Sequence, residues 1–380
     1  MEERNYWLGF SVFSGIGPMK FKTLLTRFGS AKNAWEASKS DLEKVIGERL
    51  AEKFDEFRHK FSIKDYINQL EKKDVSFIIL TDKEYPKLLK KIRNPPFVLY
   101  IKGNKEILLR QLTDQDDNVR AIAVVGTRRT TQYGREVTKM FSEALVDAGF
   151  TIVSGLAMGI DAISHMTALE NKGSPRGEAG KTIAVLGCGV DCCNPAENLR
   201  LYNDIIQKGS IILSELPLGH PPTKGSFPSR NRIIAGLSNG VLVTEGAEDS
   251  GSLITADYAI KFGRKVFAVP GPITSSMSKG PYKLISKGAK LVTSASDILK
   301  ELKFEIRNSK SETNSKSKIQ KGDTKEEQRI LDLLQNEPMH FDQLVRRTKV
   351  NPSKLGSTLS LMEVKGLVKS LYGGMFAINN

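Results

Sequence analysis

Cysteine is scarce in this chain: its three residues, Cys188, Cys192 and Cys193, fall within one short window. They cannot all pair, so a disulfide framework is excluded and a reducing, cytoplasmic compartment is the expected home. No apolar run is long enough to cross a bilayer, so a membrane-spanning role is excluded and no membrane partner is expected. The opening MEERNYWLGF lacks the basic-then-apolar layout of a secretory leader, and export is not expected. Phosphate-binding signatures are missing as well. Walker A does not occur, and the absence of G-x-G-x-x-G argues against a dinucleotide fingerprint. The clustered sulfurs have no nearby histidine and no second C-x-x-C to complete a ligand set, so neither metal nor cofactor is expected.

What is abundant is positive charge. Lys and Arg number 57 against 43 Asp and Glu, which leaves a formal charge of +14. Such a surplus favours a polyanionic partner, nucleic acid ahead of a membrane surface. At 380 residues with 39% hydrophobic content, the chain can bury real cores in two or three domains.

The pattern of apolar residues sets the expected organisation: a helical module at 1–70, an α/β core at 71–304, a flexible linker at 305–325 and a winged helix at 326–380. Leu8, Val12 and Phe13 lead into Gly15-Ile16-Gly17-Pro18, and Phe21, Leu24, Leu25 and Phe28 follow at helical spacing. Pro18 suits the first turn of the second helix. Two helices hinged on Gly-x-Gly match a helix-hairpin-helix, whose turn can hold a phosphate or simply join helices. From Asn118 onward, short apolar runs at Ala121–Val125, Phe150–Val153, Ile183–Leu186, Ile211–Leu213, Val241–Thr244 and Val266–Val269 recur. Helix-length amphipathic stretches separate most of them, the mark of a parallel sheet covered on both faces. Ligands of such sheets bind at the C-terminal ends of the strands. The segment after Arg307 is Ser/Lys-rich and too polar to order itself. Beyond it, three helical patterns and a hairpin around Gly373-Gly374 match a winged helix, with Pro352–Lys365 as its third helix; this fold reads DNA in some proteins and docks proteins in others.

The loops after the strands carry the chemistry. Gly126-Thr127-Arg128 opens onto a helix that Thr130 or Thr131 can cap, so an anion there meets free N–H groups, a helix dipole and a guanidinium. Gly155 and Gly159 punctuate the turn after the second strand, and Gly187-Cys188-Gly189 follows the third. Together these turns form an amide-lined groove suited to successive phosphates. Lys224, Arg230 and Arg232 add cations, and Ser250-Gly251-Ser252 opens another helix as an anion cradle.

The motifs VGTRR, SGLAMGIDAISH, LGCGVD, SELPLG, FPSRNRIIAGLS, EGAEDSGSLITA and VPGPI occur in an order that resembles the bacterial DNA-processing family known as DprA or Smf. The resemblance runs strongly from about Ile122 to Leu302. It implies an extended Rossmann-like core that binds single-stranded DNA, flanked by an N-terminal SAM or helix-hairpin-helix-like module and the winged helix. It further implies a homodimer that loads a RecA-type recombinase during natural transformation and protects incoming DNA. On this resemblance Arg128 is the principal phosphate-binding arginine, with Lys224, Arg230 and Arg232 lining the same pocket. Tyr282, Ile285 and Leu291 fall at the implied dimer interface, although Ile285 and Leu291 are equally suited to an internal core. Asn194 stands where the family usually has a tyrosine before the proline, which removes a base-stacking ring. An insert, Gly173–Gly180, precedes the third strand.

An enzyme is the competing class, namely a nucleotide-processing hydrolase of the same Rossmann-like superfamily. Asp161, Glu215 and Glu245 stand at or near strand ends and His165 follows Asp161 at helical spacing, so general acid–base chemistry has candidates. The hydrolases' P-G-G-x-G-T-x-x-E string is absent, however, and no catalytic residues are expected. A sequence-specific transcription factor would leave the core unexplained.

Overall fold

The sheet expected from the apolar runs is present, and it is wider than they indicate. Its strands are β1 (Val75–Ile79), β2 (Val98–Gly103), β3 (Ala121–Val125), β4 (Thr151–Ser154), β5 (Thr182–Val185), β6 (Ile211–Ser214), β7 (Gly240–Val243), β8 (Lys265–Ala268) and β9 (Lys290–Leu291). They pair in the order β1-β2-β6-β5-β4-β3-β7-β8-β9. All neighbours from β6 to β9 run parallel, while β1 and β2 form an antiparallel ribbon against β6. The computed structural model describes residues 1–108, 120–171, 180–304, 324–335, 337–371 and 373–378. The expected linker and the Gly173–Gly180 insert lie almost wholly outside the described residues. The chain divides into two units, Met1–Arg307 and Asn308–Asn380.

At the start of the first unit lie α1 (Glu3–Val12), α2 (Pro18–Phe28), α3 (Ala31–Glu36), α4 (Lys39–Ile46), α5 (Glu48–Lys60) and α6 (Ile63–Lys72). Ser30, Ser38 and Ser62 cap α3, α4 and α6 by accepting a backbone N–H of the first turn. Their inner faces form an aromatic core in which Phe10 stacks on Phe54 at 4.9 Å and meets Trp35 edge-on at 5.3 Å. This core continues into the sheet. Phe21 stacks on Phe97 at 4.2 Å, and the Ser11 and Tyr100 hydroxyls share a 2.6 Å hydrogen bond. One hydrophobic cluster therefore runs from Leu8 and Phe54 to Phe97 and Tyr100.

Helices then cover both faces of the sheet. After α7 (Lys87–Lys90) come α8 (Gln132–Asp147), α9 (Ile160–Glu170), α10 (Leu199–Gln207), α11 (Ser226–Leu237), α12 (Ser252–Lys261), α13 (Lys279–Ser286) and α14 (Ala295–Glu301). Phe141 and Leu145 of α8 and Ile160 and Ala168 of α9 join the core of one face with Ile122 and Val124. Ile233, Ile234 and Leu237 of α11 and Ala256 and Ala259 of α12 join the other with Ala123 and Val125. Alternate residues of β3 thus serve opposite cores, which is why such strands read as unbroken apolar runs. Chain order departs from β3 in both directions, through β4, β5 and β6 on one side and β7 and β8 on the other. The crevice at this reversal is where such sheets receive ligands.

The second unit contains α15 (Lys325–Leu334), β10 (Met339–His340), α16 (Phe341–Thr348), α17 (Pro352–Val364), β11 (Val368–Leu371) and β12 (Met375–Ile378). Its strands pair in the order β10-β12-β11. Ile330, Leu334, Leu344, Leu355, Leu359 and Met362 fill its core, and the arrangement is the expected winged helix. A capping box between Thr324 and Glu327 starts α15.

Candidate nucleic-acid interface

The loops after β3 and β7 are tied together across the crevice. The Thr127 amide donates to the Glu245 carbonyl at 2.8 Å. The buried Glu245 carboxylate accepts the Thr131 amide at 3.0 Å and its hydroxyl at 2.6 Å, while Thr131 also caps α8. The β4 loop closes on the same backbone. Gly159 has φ +79°, and a β-carbon there would stand 2.3 Å from the Thr127 carbonyl oxygen. Only glycine combines that left-handed conformation with so close an approach.

The four cations expected at the rim occupy different positions. Arg128 is exposed, and its guanidinium lies over the Phe227 ring at 5.7 Å. Lys224 is exposed just ahead of α11. Arg230 is buried, donating to the carbonyls of Gly155, at 2.6 Å, and Val185. Burial lowers its pKa, Asp161 opposes that shift, and the nearby positive charge of Arg128 adds to it. Arg232 lies two positions further along the same helix, which turns it to another side. There it forms a buried ion pair with Glu215. Of these four, Arg128 and Lys224 are the open charges near the strand ends, with Arg230 underneath as an internal brace.

Phe227 is a residue that reading the sequence missed. Its ring covers the end of β5, where a β-carbon on Gly187 would stand 3.0 Å from it. The preceding Ser226 hydroxyl donates to the Gly187 carbonyl at 2.5 Å. The available signal was an aromatic residue between Lys224 and Arg230 in a loop that leaves a strand end. On the far side of the crevice the hydroxyls of Ser250 and Ser252 lie 2.8 Å apart, and the Gly251 carbonyl accepts Asn231 Nδ2 at 3.3 Å. The Ser-Gly-Ser turn is thereby linked to α11, beside the arginines.

The candidate acids are already engaged. Asp161 accepts the amides of Gly155 at 3.1 Å and Ala157 at 3.4 Å. Burial raises its pKa, against the pull of Arg230 and those two amides. Glu215 is bound to Arg232, and Glu245 holds Thr131. His165 is buried with Nδ1 2.6 Å from the Thr182 hydroxyl. Burial, reinforced by Arg230, lowers its pKa to about 3, so the ring is neutral at physiological pH. All three cysteines are free thiols; Cys188 is buried and donates to the Cys192 carbonyl at 3.3 Å. Among the described residues no group of three or more His, Cys, Asp or Glu could hold a metal ion.

The residues assigned to dimerisation differ in exposure. The Tyr282 hydroxyl donates to the Gly271 carbonyl, and Ile285 packs half-buried against the sheet core. Leu291 is 45% exposed on β9, at the end of the sheet.

Residues 76–303 match the family model for DNA recombination-mediator protein A, and residues 315–374 match the model for the DprA winged helix domain. The chain is 39% identical to Smf from Synechocystis sp. over 302 residues, 79% of this chain and 73% of that one. It is 44% identical to DNA processing protein DprA from Bacillus subtilis over 228 residues, covering 60% and 71% of the two chains. The solved structure of DprA from Streptococcus pneumoniae superposes with a TM-score of 0.64 at 36% identity, covering 79% of this chain and 98% of that one. A structure concerned with the single-stranded DNA binding mode of DNA processing protein A from Helicobacter pylori gives 0.51 at 30%, covering 60% and 95%. Among the described residues no helix is long and apolar enough to cross a membrane.

Proposed function

The chain belongs to the DNA recombination-mediator protein A family, and from that premise we propose that it binds single-stranded DNA along the strand ends of its first unit and delivers it to a RecA-type recombinase. The observation that carries this reading is the Arg128 guanidinium poised over the Phe227 ring at 5.7 Å. A single strand offers an unstacked base and a phosphate side by side, and a cation next to an aromatic face meets both. A duplex keeps its bases stacked and presents phosphates alone. Lys224, the loops of Gly126-Thr127, Gly155 and Gly159, and the Ser250-Gly251-Ser252 turn extend the same surface, while Arg230 and Arg232 hold it in shape from beneath.

Recombinase loading, protection of incoming DNA during natural transformation, a cytoplasmic location and dimerisation through Tyr282, Ile285 and Leu291 belong to the same proposal, with family membership as their support. The competing hydrolase needs a carboxylate free to act on substrate. Asp161, Glu215 and Glu245 are instead bound to backbone amides, an arginine and a helix cap, which favours a binder over an enzyme. The test is a mobility-shift comparison of single- and double-stranded oligonucleotides with the full chain and with Arg128→Ala. Preference for the single strand, lost in the variant, supports the assignment; equal binding of both forms, or an unaffected variant, rejects it. Release of free base from nucleoside monophosphates would revive the hydrolase.

A further inference from the structure

The Gly15–Pro18 hairpin has no part in the surface just described, yet it lines a cleft of about 190 Å³. One wall is the hairpin segment 11–18, a second is residues 96–98 where β2 begins, and the third is the loop after β6, with Pro217 and His220. The lining is largely apolar, through Val12, Phe13, Pro18 and Pro217; its one carboxylate, Glu215, is already paired with Arg232, and the volume is small against the roughly 300–1,000 Å³ of drug-sized sites. It admits one planar group and excludes a duplex.

This cleft is joined to the candidate interface by direct contact. The His220 carbonyl accepts the Gly189 amide at 3.0 Å. Gly189 belongs to the turn whose Gly187 lies under Phe227, so one short loop separates the aromatic platform from the cleft. Cations mark both ends of the path. Lys224 stands shortly after His220, and the Lys20 ammonium donates to the Gly15 carbonyl at 3.3 Å, at the cleft's edge. An apolar slot with the Lys20 ammonium at its edge suits a base with its phosphate.

We propose that this cleft receives a nucleobase from the same single strand that binds at Arg128 and Phe227, which makes the N-terminal hairpin the far end of the DNA path. The inference rests on the proposed single-strand reading, and its test separates the two. Gly17 faces the cleft, and a β-carbon there meets nothing within 4 Å, so Gly17→Glu adds a carboxylate without a clash, and Gly17→Gln serves as its neutral control. Affinities for oligothymidylates of about six and about twenty nucleotides are measured by fluorescence anisotropy on the full chain. Gly17→Glu is expected to weaken the long oligonucleotide roughly tenfold and leave the short one unchanged. Arg128→Ala is expected to weaken both.

Unchanged binding of the long strand by Gly17→Glu overturns the cleft assignment, whatever Arg128→Ala does. Intact binding of both lengths by Arg128→Ala sinks the interface reading, and the Gly17 pair then judges the cleft by itself. Photocrosslinking with iodouracil near the end of the long strand should label segments 11–18 or 216–220; labels confined elsewhere reject the proposal. Tight capture of free thymidine monophosphate, with no length dependence for the strand, would make the cleft a mononucleotide site and overturn it.

Discussion

The Arg230 guanidinium occupies the space a side chain at Gly155 would need: a β-carbon built on Gly155 would stand 2.2 Å from Nη1. The guanidinium is the far end of a long side chain, but here it is pinned by two carbonyls and attracted by Asp161. Gly155→Ala should therefore displace a buried charge from its acceptors and lower stability by about 2 kcal/mol. Because the penalty acts through Arg230, adding Gly155→Ala to Arg230→Ala should cost almost nothing more. Urea denaturation of the double-mutant cycle checks this, and additive losses would show that Gly155 acts by another route.

Arg128 should behave in the opposite manner, changing binding and leaving stability alone, and the half-buried Phe227 should change binding more than stability. Arg128→Ala is expected to weaken single-strand binding across all sequences and to reduce the salt slope by about one. Phe227→Ala should cost about 1–3 kcal/mol of affinity, largely restored by Phe227→Trp, while leaving the salt slope unchanged. Anisotropy titrations over a range of salt concentrations separate charge from stacking. A salt slope altered by Phe227→Ala would contradict the stacking role.

The contrast between these arginines shows how far the sequence was legible. The strand positions were readable because apolar runs such as Ala121–Val125 serve cores on both faces, and the observed strands fall within a residue or two of those expected. The β1–β2 ribbon is not legible in the pattern of apolar runs, since Val75–Ile79 mixes buried with half-buried residues and the pairing of β2 with β6 is remote in sequence. Arg230 and Arg232 were counted with Arg128 because spacing shows that a cation is present. It does not show that Gly155, Val185 and Glu215 supply acceptors inside the fold. Phe227 escaped for a related reason: an aromatic residue at the start of a helix reads as core until its half-buried ring is located under Arg128.

His165 makes stability depend on pH. Its pKa falls from 6.5 in the unfolded chain to about 3 in the buried site. Above the unfolded value both states are neutral and the site has no effect. As pH drops below it, the unfolded chain takes up a proton that the folded chain refuses, so stability declines by up to about 1.4 kcal/mol per pH unit. The raised pKa values of Asp161 and Glu215 act in the other sense, because those acids take up protons in the folded state first. The signature is accordingly the difference between wild type and His165→Gln, whose amide can still meet the Thr182 hydroxyl. That difference should change between about pH 7.5 and about pH 5, with wild type losing more; parallel curves from the two proteins would show no contribution from the ring.

Dimerisation is better tested at Leu291 than at Ile285. Ile285 packs against the sheet core, so a charge there would perturb folding as well as association. Leu291 is 45% exposed on the end strand, where an arginine is tolerated by the monomer. Leu291→Arg should halve the mass measured by light scattering while the protein still unfolds in one cooperative transition, whose midpoint no longer depends on protein concentration. A mass equal to wild type would remove this edge from the interface.

The bonds from Thr127 and Thr131 to Glu245, and the close approach of Gly159 to Thr127, hold three loops in a fixed mutual arrangement before any DNA arrives. The entropy lost on association then falls chiefly on the nucleic acid, and the protein's share is met during folding. A surface prepared in this way should capture a flexible chain quickly and in a set register, as the proposed hand-over of a single strand requires.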